Sequence, residues 1–143
     1  MNSVLVDTNV WVDIVLKRPD FVEDSLGAVM VCIDKGVRLL VVGTSVKDVF
    51  YWAAKSAGAD AGYRALDLLF SIADIAAVDD PVCKQALTLE KPDYEDGIIA
   101  ACAQVEQVDA ILSRDAAAFN TRAIPKFTPT ELIAHLGYES FEF

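Results

Sequence analysis

The residues of this chain best suited to chemistry are its acids, and their placement is ordered. Asp7 ends the apolar run Val4-Leu5-Val6 and is followed by Thr8 and Asn9. Asp48 lies just beyond a second apolar run, Leu39-Leu40-Val41-Val42. Asp93, Glu95 and Asp96 precede a stretch whose buried stripe is Ile98, Ile99, Cys102 and Val105, and Asp115 closes Ile111-Leu112-Ser113-Arg114. Taken singly, each has a plain structural use. Asp7 or Thr8 suits a helix N-cap. Asp93, Glu95 and Asp96 suit the positive end of a helix dipole, and Asp48 suits a solvated helix face. Taken together they form four acidic positions, each at the end of an apolar run or near the start of a neighbouring helix.

Converging carboxylates raise one another's pKa and oppose folding. A divalent cation resolves that conflict, and an all-oxygen ligand set with waters suits Mg²⁺ or Mn²⁺ better than zinc. Such a cation activates water and orients a phosphodiester. Asp93 and Asp96, three residues apart, share one helix face. Other chemistries have thinner support. The one histidine, His135, sits in a helical apolar context, so no histidine pair exists and a Ser-His-Asp triad is disfavoured. Cys32, Cys83 and Cys102 are odd in number, widely spaced and set among apolar residues. They predict free core thiols in a reducing compartment. Aspartyl-phosphate chemistry at Asp7 is disfavoured, because no second acid follows two residues on.

These acids need elements to position them. The pattern predicts a strand ending at Asp7, a short helix over residues 10–16 stopped by Pro19, and a helix over 21–35 with Gly36 beyond its end. A buried strand follows at 38–42, then a helix to about 57 with Thr44 or Ser45 as N-cap. Gly58 and Gly62 bracket the next connection, with a helix at 63–72 and a short strand at 75–78. Asp79-Asp80-Pro81 opens a helix. Lys91-Pro92-Asp93 leads into another that reaches about residue 107. A strand covers 109–112, and Ile124-Pro125-Lys126-Phe127 is a weak edge strand because Pro125 lacks a donor. Thr128-Pro129-Thr130-Glu131 reads as a capping box opening the last helix. Strands alternate with helices throughout, so the class is α/β with a mostly parallel sheet, whose sites gather at the C-terminal strand ends.

At 143 residues the chain reads as a single domain, 1–143. Hydrophobic residues make up 54%, yet no apolar run reaches the ~18 residues of a membrane span. No basic leader precedes an apolar segment, so the expected location is the cytoplasm. The net charge of −10 weakens a nucleic-acid partner without excluding one, since cations at an acidic site neutralise part of it. It also favours a basic protein partner.

The ordered set Leu5-Val6-Asp7-Thr8-Asn9-Val10, Asp96-Gly97-Ile98-Ile99-Ala100-Ala101 and Ile111-Leu112-Ser113-Arg114-Asp115 resembles the PIN-domain family, and within it the VapC-like toxin ribonucleases. The closing Phe127-Thr128-Pro129-Thr130-Glu131-Leu132 is similar to that family's last strand and helix. The resemblance covers essentially the whole chain. It implies a three-layer α/β/α fold with a central, mostly parallel sheet of four to five strands, and metal-dependent hydrolysis of RNA. Asp7, Asp48, Asp96 and Asp115 match the family's acidic quartet, with Asp7, Asp96 and Asp115 as metal ligands. Asp93 matches an auxiliary acid, and Thr8 or Asn9 the polar support of the first acid. The implied cofactor is Mg²⁺ or Mn²⁺. The implied partners are an RNA substrate, a small antitoxin and a second copy of the chain, with no membrane. Two departures stand out: Asp48 where relatives often carry Glu, and Ala116-Ala117-Ala118 where relatives carry polar residues.

Lys17, Arg18, Lys47, Lys91 and Arg114 lie near the expected mouth, with Arg114 and Lys47 the candidates for RNA contact. Trp11, Phe50, Tyr51 and Trp52 at helical spacing suit a core or an interface, and Trp11 and Trp52 offer a groove for a partner helix. The alternative function is a catalytically silent member of the fold that acts by binding a protein.

Overall fold

The computed structural model describes residues 1–89, 93–115, 119 and 123–138. Its core is a five-stranded sheet of β1 (Ser3–Val6), β2 (Arg38–Val42), β3 (Asp74–Ala76), β4 (Ala110–Leu112) and β5 (Lys126–Phe127), in the order β3-β2-β1-β4-β5. Every pairing is parallel. Sheets of this kind are covered on both faces, so their inner strands are continuously apolar. Val4, Leu5, Val6, Leu40, Val41, Val42 and Leu112 are accordingly without exposure.

Alternate strand residues feed two separate cores. Val4, Val6, Leu39 and Val41 pack with α1 (Thr8–Val15), α2 (Val22–Asp34), α3 (Gly43–Ala57), α4 (Ala59–Ile72) and α7 (Pro129–His135). Leu5, Leu40, Val42 and Ile111 pack with α5 (Asp80–Ala86) and α6 (Tyr94–Glu106). The result is the expected three-layer α/β/α arrangement with β1 at its centre.

Local signals set most boundaries. Thr128 and Glu131 form the reciprocal capping box at α7. Asp79 caps α5 through the Val82 N–H at 3.2 Å. Gly36 takes φ 69° after α2, a conformation that favours glycine.

Several expectations are corrected. Thr44 and Ser45 do not cap α3. Val42 precedes its first residue, so β2 runs directly into the helix with no side-chain cap. Gly62 lies inside α4 and not in a connection. A Cβ there would come within 2.8 Å of the Phe50 ring, so the glycine permits α3 and α4 to close on each other. α1 ends at Val15, ahead of Pro19. β3 sits at Asp74–Ala76, one residue earlier than read, and stops short of Val78. Trp11 is 3% exposed in the core, which removes it as a groove residue. Tyr51 and Trp52 are exposed, with the Lys55 ammonium over both rings.

Cys32 and Cys102 are buried and Cys83 is half-buried, all as free thiols. Burial pushes the Cys32 and Cys102 thiols up to about 12, which makes them inert near neutral pH. His135 is exposed and packs on Phe127, ring centroids 4.7 Å apart. Among the described residues, no helix is long and apolar enough to cross a membrane.

Candidate functional site

Parallel pairing brings the C-terminal ends of β1, β2 and β4 to one edge of the sheet, and the site begins there. Asp7 follows β1 and caps α1. Its own N–H donates to the Leu112 carbonyl at 2.8 Å, which fastens it to the end of β4. Oδ1 accepts the Thr8 N–H at 2.7 Å, and Oδ2 accepts the Ser113 hydroxyl at 2.8 Å. The carboxyl is only 6% exposed. Burial raises it from 3.8 to about 6; the bonds from Ser113 and Thr8 oppose the rise, and the charges of Asp96 and Glu95 add to it.

Those two acids come from the first turn of α6. Asp96 is half-buried and Glu95 exposed. Thr8 bridges the elements: its Oγ1 lies 2.5 Å from Ser45 Oγ of α3 and 3.5 Å from Glu95 Oε1. A Cβ on Gly97 would stand 2.8 Å from the Ala86 carbonyl oxygen. Glycine here admits the backbone of α5 against the start of α6. Close packing of α5 on α6 fixes where Glu95 and Asp96 stand.

The other expected positions differ in kind. Asp93 is exposed and is the N-cap of α6, accepting the Asp96 N–H at 2.8 Å. Asp48 pairs with Lys47 at 3.0 Å and is 32% exposed; neither it nor Asp115 is among the charges that shift Asp7. Asp115 is exposed, with its N–H donating to Ser113 Oγ at 3.2 Å and its carbonyl accepting from Lys126 at 3.1 Å. Asn9 Oδ1 receives the Arg114 N–H at 3.5 Å. Lys91 and the run Ala116-Ala117-Ala118 lie outside the described residues. Among the described residues, no three acidic, cysteine or histidine side chains converge closely enough to hold a metal ion between them. The charges of Glu95 and Asp96 both act on Asp7, and three such oxygen donors suit a hard cation with waters completing its shell.

Three contributors escaped the sequence reading. Ser113 and Ser45 are buried hydroxyls, the first bonded to Asp7 and the second to the Thr8 hydroxyl beside it. The third is Asp13, a carboxylate with no exposure that receives Arg114 Nε at 2.7 Å, Arg18 Nη1 at 3.2 Å and Ser25 Oγ at 3.3 Å. Its signal was an acid inside an otherwise apolar helix, since a buried charge needs partners. Arg114, expected to face RNA, is therefore held on one edge by Asp13, and it lies 4.2 Å from the Phe21 ring centroid.

A buried acid at the end of a central parallel strand, opposed by acids from a helix start, defines a three-layer α/β domain with an acidic site at its carboxyl edge. A family model described as PIN domain matches residues 3–117, and the chain belongs to that family. No curated protein sequence matches it significantly. Its fold is similar to VapBC2 of Rickettsia felis bound to a promoter DNA fragment (15% identity, 88% of this chain and 98% of that one, TM-score 0.70). It is also similar to a toxin–antitoxin complex from Klebsiella pneumoniae (20%, 90% and 98%, 0.68). Mycobacterium tuberculosis VapC20, described as a sarcin–ricin loop cleaving toxin, matches over 97% of this chain and 99% of its own (12%, 0.61). At these identities the likeness is one of fold.

Proposed function

We propose that this protein is a metal-dependent endoribonuclease, the toxin half of a toxin–antitoxin pair. The observation that carries the reading is Asp7: a carboxyl buried at the end of β1, raised to about 6, with the charges of Asp96 and Glu95 acting on it. A fold does not keep such a cluster for stability, because each of those charges opposes the others. The membership in the PIN-domain family and the likeness to toxin–antitoxin proteins support the same reading.

Asp7 and Asp96 would hold Mg²⁺ or Mn²⁺, with Asp115 as a further ligand directly or through water. When bound, the cation supplies an activated water and charge stabilisation for the phosphodiester. The chain's own residues do the positioning. Ser113 and the Thr8 N–H fix both oxygens of Asp7, so its free lone pairs keep one direction. Thr8 and Ser45 tie α1 to α3 beside it. Asp93 sets the start of α6, and with it Glu95 and Asp96. Asp48 would complete the shell directly or through water, and Lys47 at its side is an RNA contact. At neutral pH Asp7 is mainly ionised and needs no proton transfer of its own. The RNA is the substrate, a small antitoxin the inhibitor, and the working form a homodimer in the cytoplasm.

Mn²⁺ binding by calorimetry on wild type and Asp96→Asn, with RNA cleavage read on the same samples, tests this. Loss of both in the variant is the expected result; cleavage that survives Asp96→Asn refutes it. One observation favours a second reading, a catalytically silent member that binds a protein. Asp48, one of the four expected acids, is paired with Lys47 at 3.0 Å. Wild type that binds no Mn²⁺ would establish that reading.

A further inference from the structure

A cavity of about 270 Å³ opens between the starts of α2 and α7, lined by Phe21, Asp24, Ser25, Arg114, Thr128 and Thr130, among others. Arg114 is its cation. One edge of the guanidinium is fixed by Nε on Asp13 at 2.7 Å, and the ring of Phe21 lies 4.2 Å away. Among the described residues, none accepts a hydrogen bond from its terminal amino groups. The side chain is 29% exposed. Asp13 carries one negative charge against two guanidiniums, Arg114 and Arg18, and Asp24 in the lining is the second acid of the group. A guanidinium locked along one edge, with its remaining donors in a fixed fork, loses little freedom on binding an oxyanion. Thr130, an exposed residue, is also in the lining. Arg114 directly follows Ser113, whose hydroxyl is bonded to Asp7.

We infer that this cavity is a phosphate subsite, which holds a backbone phosphate of the bound RNA beside the one at the acids, with Arg114 as the binding residue and Asp13 as its positioning residue. The phosphate chemistry stands on the cavity itself; the assignment to RNA rests on the nuclease reading. Asp24 in the lining opposes an anion, and its removal should tighten binding.

The test has two arms. In the first, inorganic phosphate is titrated into metal-free protein at constant ionic strength while the amide resonances of Ser25 and Thr130 are followed. Saturable shifts are expected. Arg114→Gln should weaken them at least tenfold, and Asp24→Asn should tighten them severalfold. Thr130→Glu, which leaves the Asp13 cluster intact, should weaken them as well and keeps the test open if Arg114→Gln fails to fold. Absent shifts, or shifts indifferent to these changes, overturn the subsite. In the second arm, a 2′-O-methyl oligoribonucleotide is bound by anisotropy across a salt series. Arg114→Gln should lower the slope of log affinity against log salt by about 0.7, the value of one single-strand phosphate contact. An unchanged slope overturns the RNA assignment. Protein that passes the first arm yet cleaves no RNA refutes the nuclease reading and leaves the phosphate subsite standing.

Discussion

Replacing Asp7 by Asn should make the metal-free protein more stable at alkaline pH and less able to gain stability from metal. The carboxyl moves from 3.8 unfolded to about 6 folded. A raised acid binds its proton more tightly in the folded state, so unfolding free energy falls as pH rises from about 4 to 6 and is level above that. The distance from 3.8 to about 6 corresponds to about 3 kcal/mol of destabilisation at pH 8. Asn carries no charge and removes it. Its Oδ1 keeps the Thr8 N–H, but its amide nitrogen faces Ser113, whose hydroxyl must turn from donor to acceptor. That costs about 1 kcal/mol. The net gain is about 2 kcal/mol at pH 8, or about 6 °C in melting temperature for a domain of this size, and it turns into a loss of up to about 1 kcal/mol towards pH 4, where the wild-type acid is itself protonated. With Mn²⁺ the order reverses. Wild type gains about 2.7 kcal/mol at a hundredfold excess over the dissociation constant, and the variant gains little. Thermal melts of metal-stripped and Mn²⁺-loaded protein between pH 4 and 8 measure all of this. A variant that is less stable at pH 8 without metal, or a difference that does not change with pH, refutes the argument.

Other perturbations follow from the same geometry. Asp13→Asn removes the buried charge from two guanidiniums that are each about a third exposed; their access to water limits the loss to about 1–3 kcal/mol by urea denaturation, below the full cost of stranding a buried ion. Gly97→Ala sets a Cβ 2.8 Å from the Ala86 carbonyl oxygen, a backbone atom that cannot swing aside. It should cost about 1–3 kcal/mol and also lower Mn²⁺ affinity, because α6 carries Asp96. Thr128→Ala deletes the capping box of α7 and should lower stability by about 1 kcal/mol with metal binding unchanged.

The sheet was legible because parallel strands buried on both faces leave unbroken apolar runs, and β2 at Arg38–Val42 was read to the residue. Asp7 was marked by the same run, although its position alone fits a helix N-cap equally well, which it also is; the other acids in their order tip the reading. The rest was hidden wherever a residue answers to a partner distant in sequence. Gly62 has the composition of a loop, and only the Phe50 ring shows why a helix keeps it. Asp93 and Asp96 satisfy the i, i+3 rule, yet that rule cannot say that Asp93 caps the helix while Glu95 reaches Thr8. Asp13 and Arg114 are 101 positions apart. Read singly, the first is an anomaly in an apolar helix and the second a surface cation. Joined, they turn a flexible side chain into a fixed one at the mouth of a cavity. A linear sequence names the acids of such a site more readily than the residues that hold its cations still, because an acid can be marked by the strand it follows, whereas a positioned arginine is marked only by what it touches.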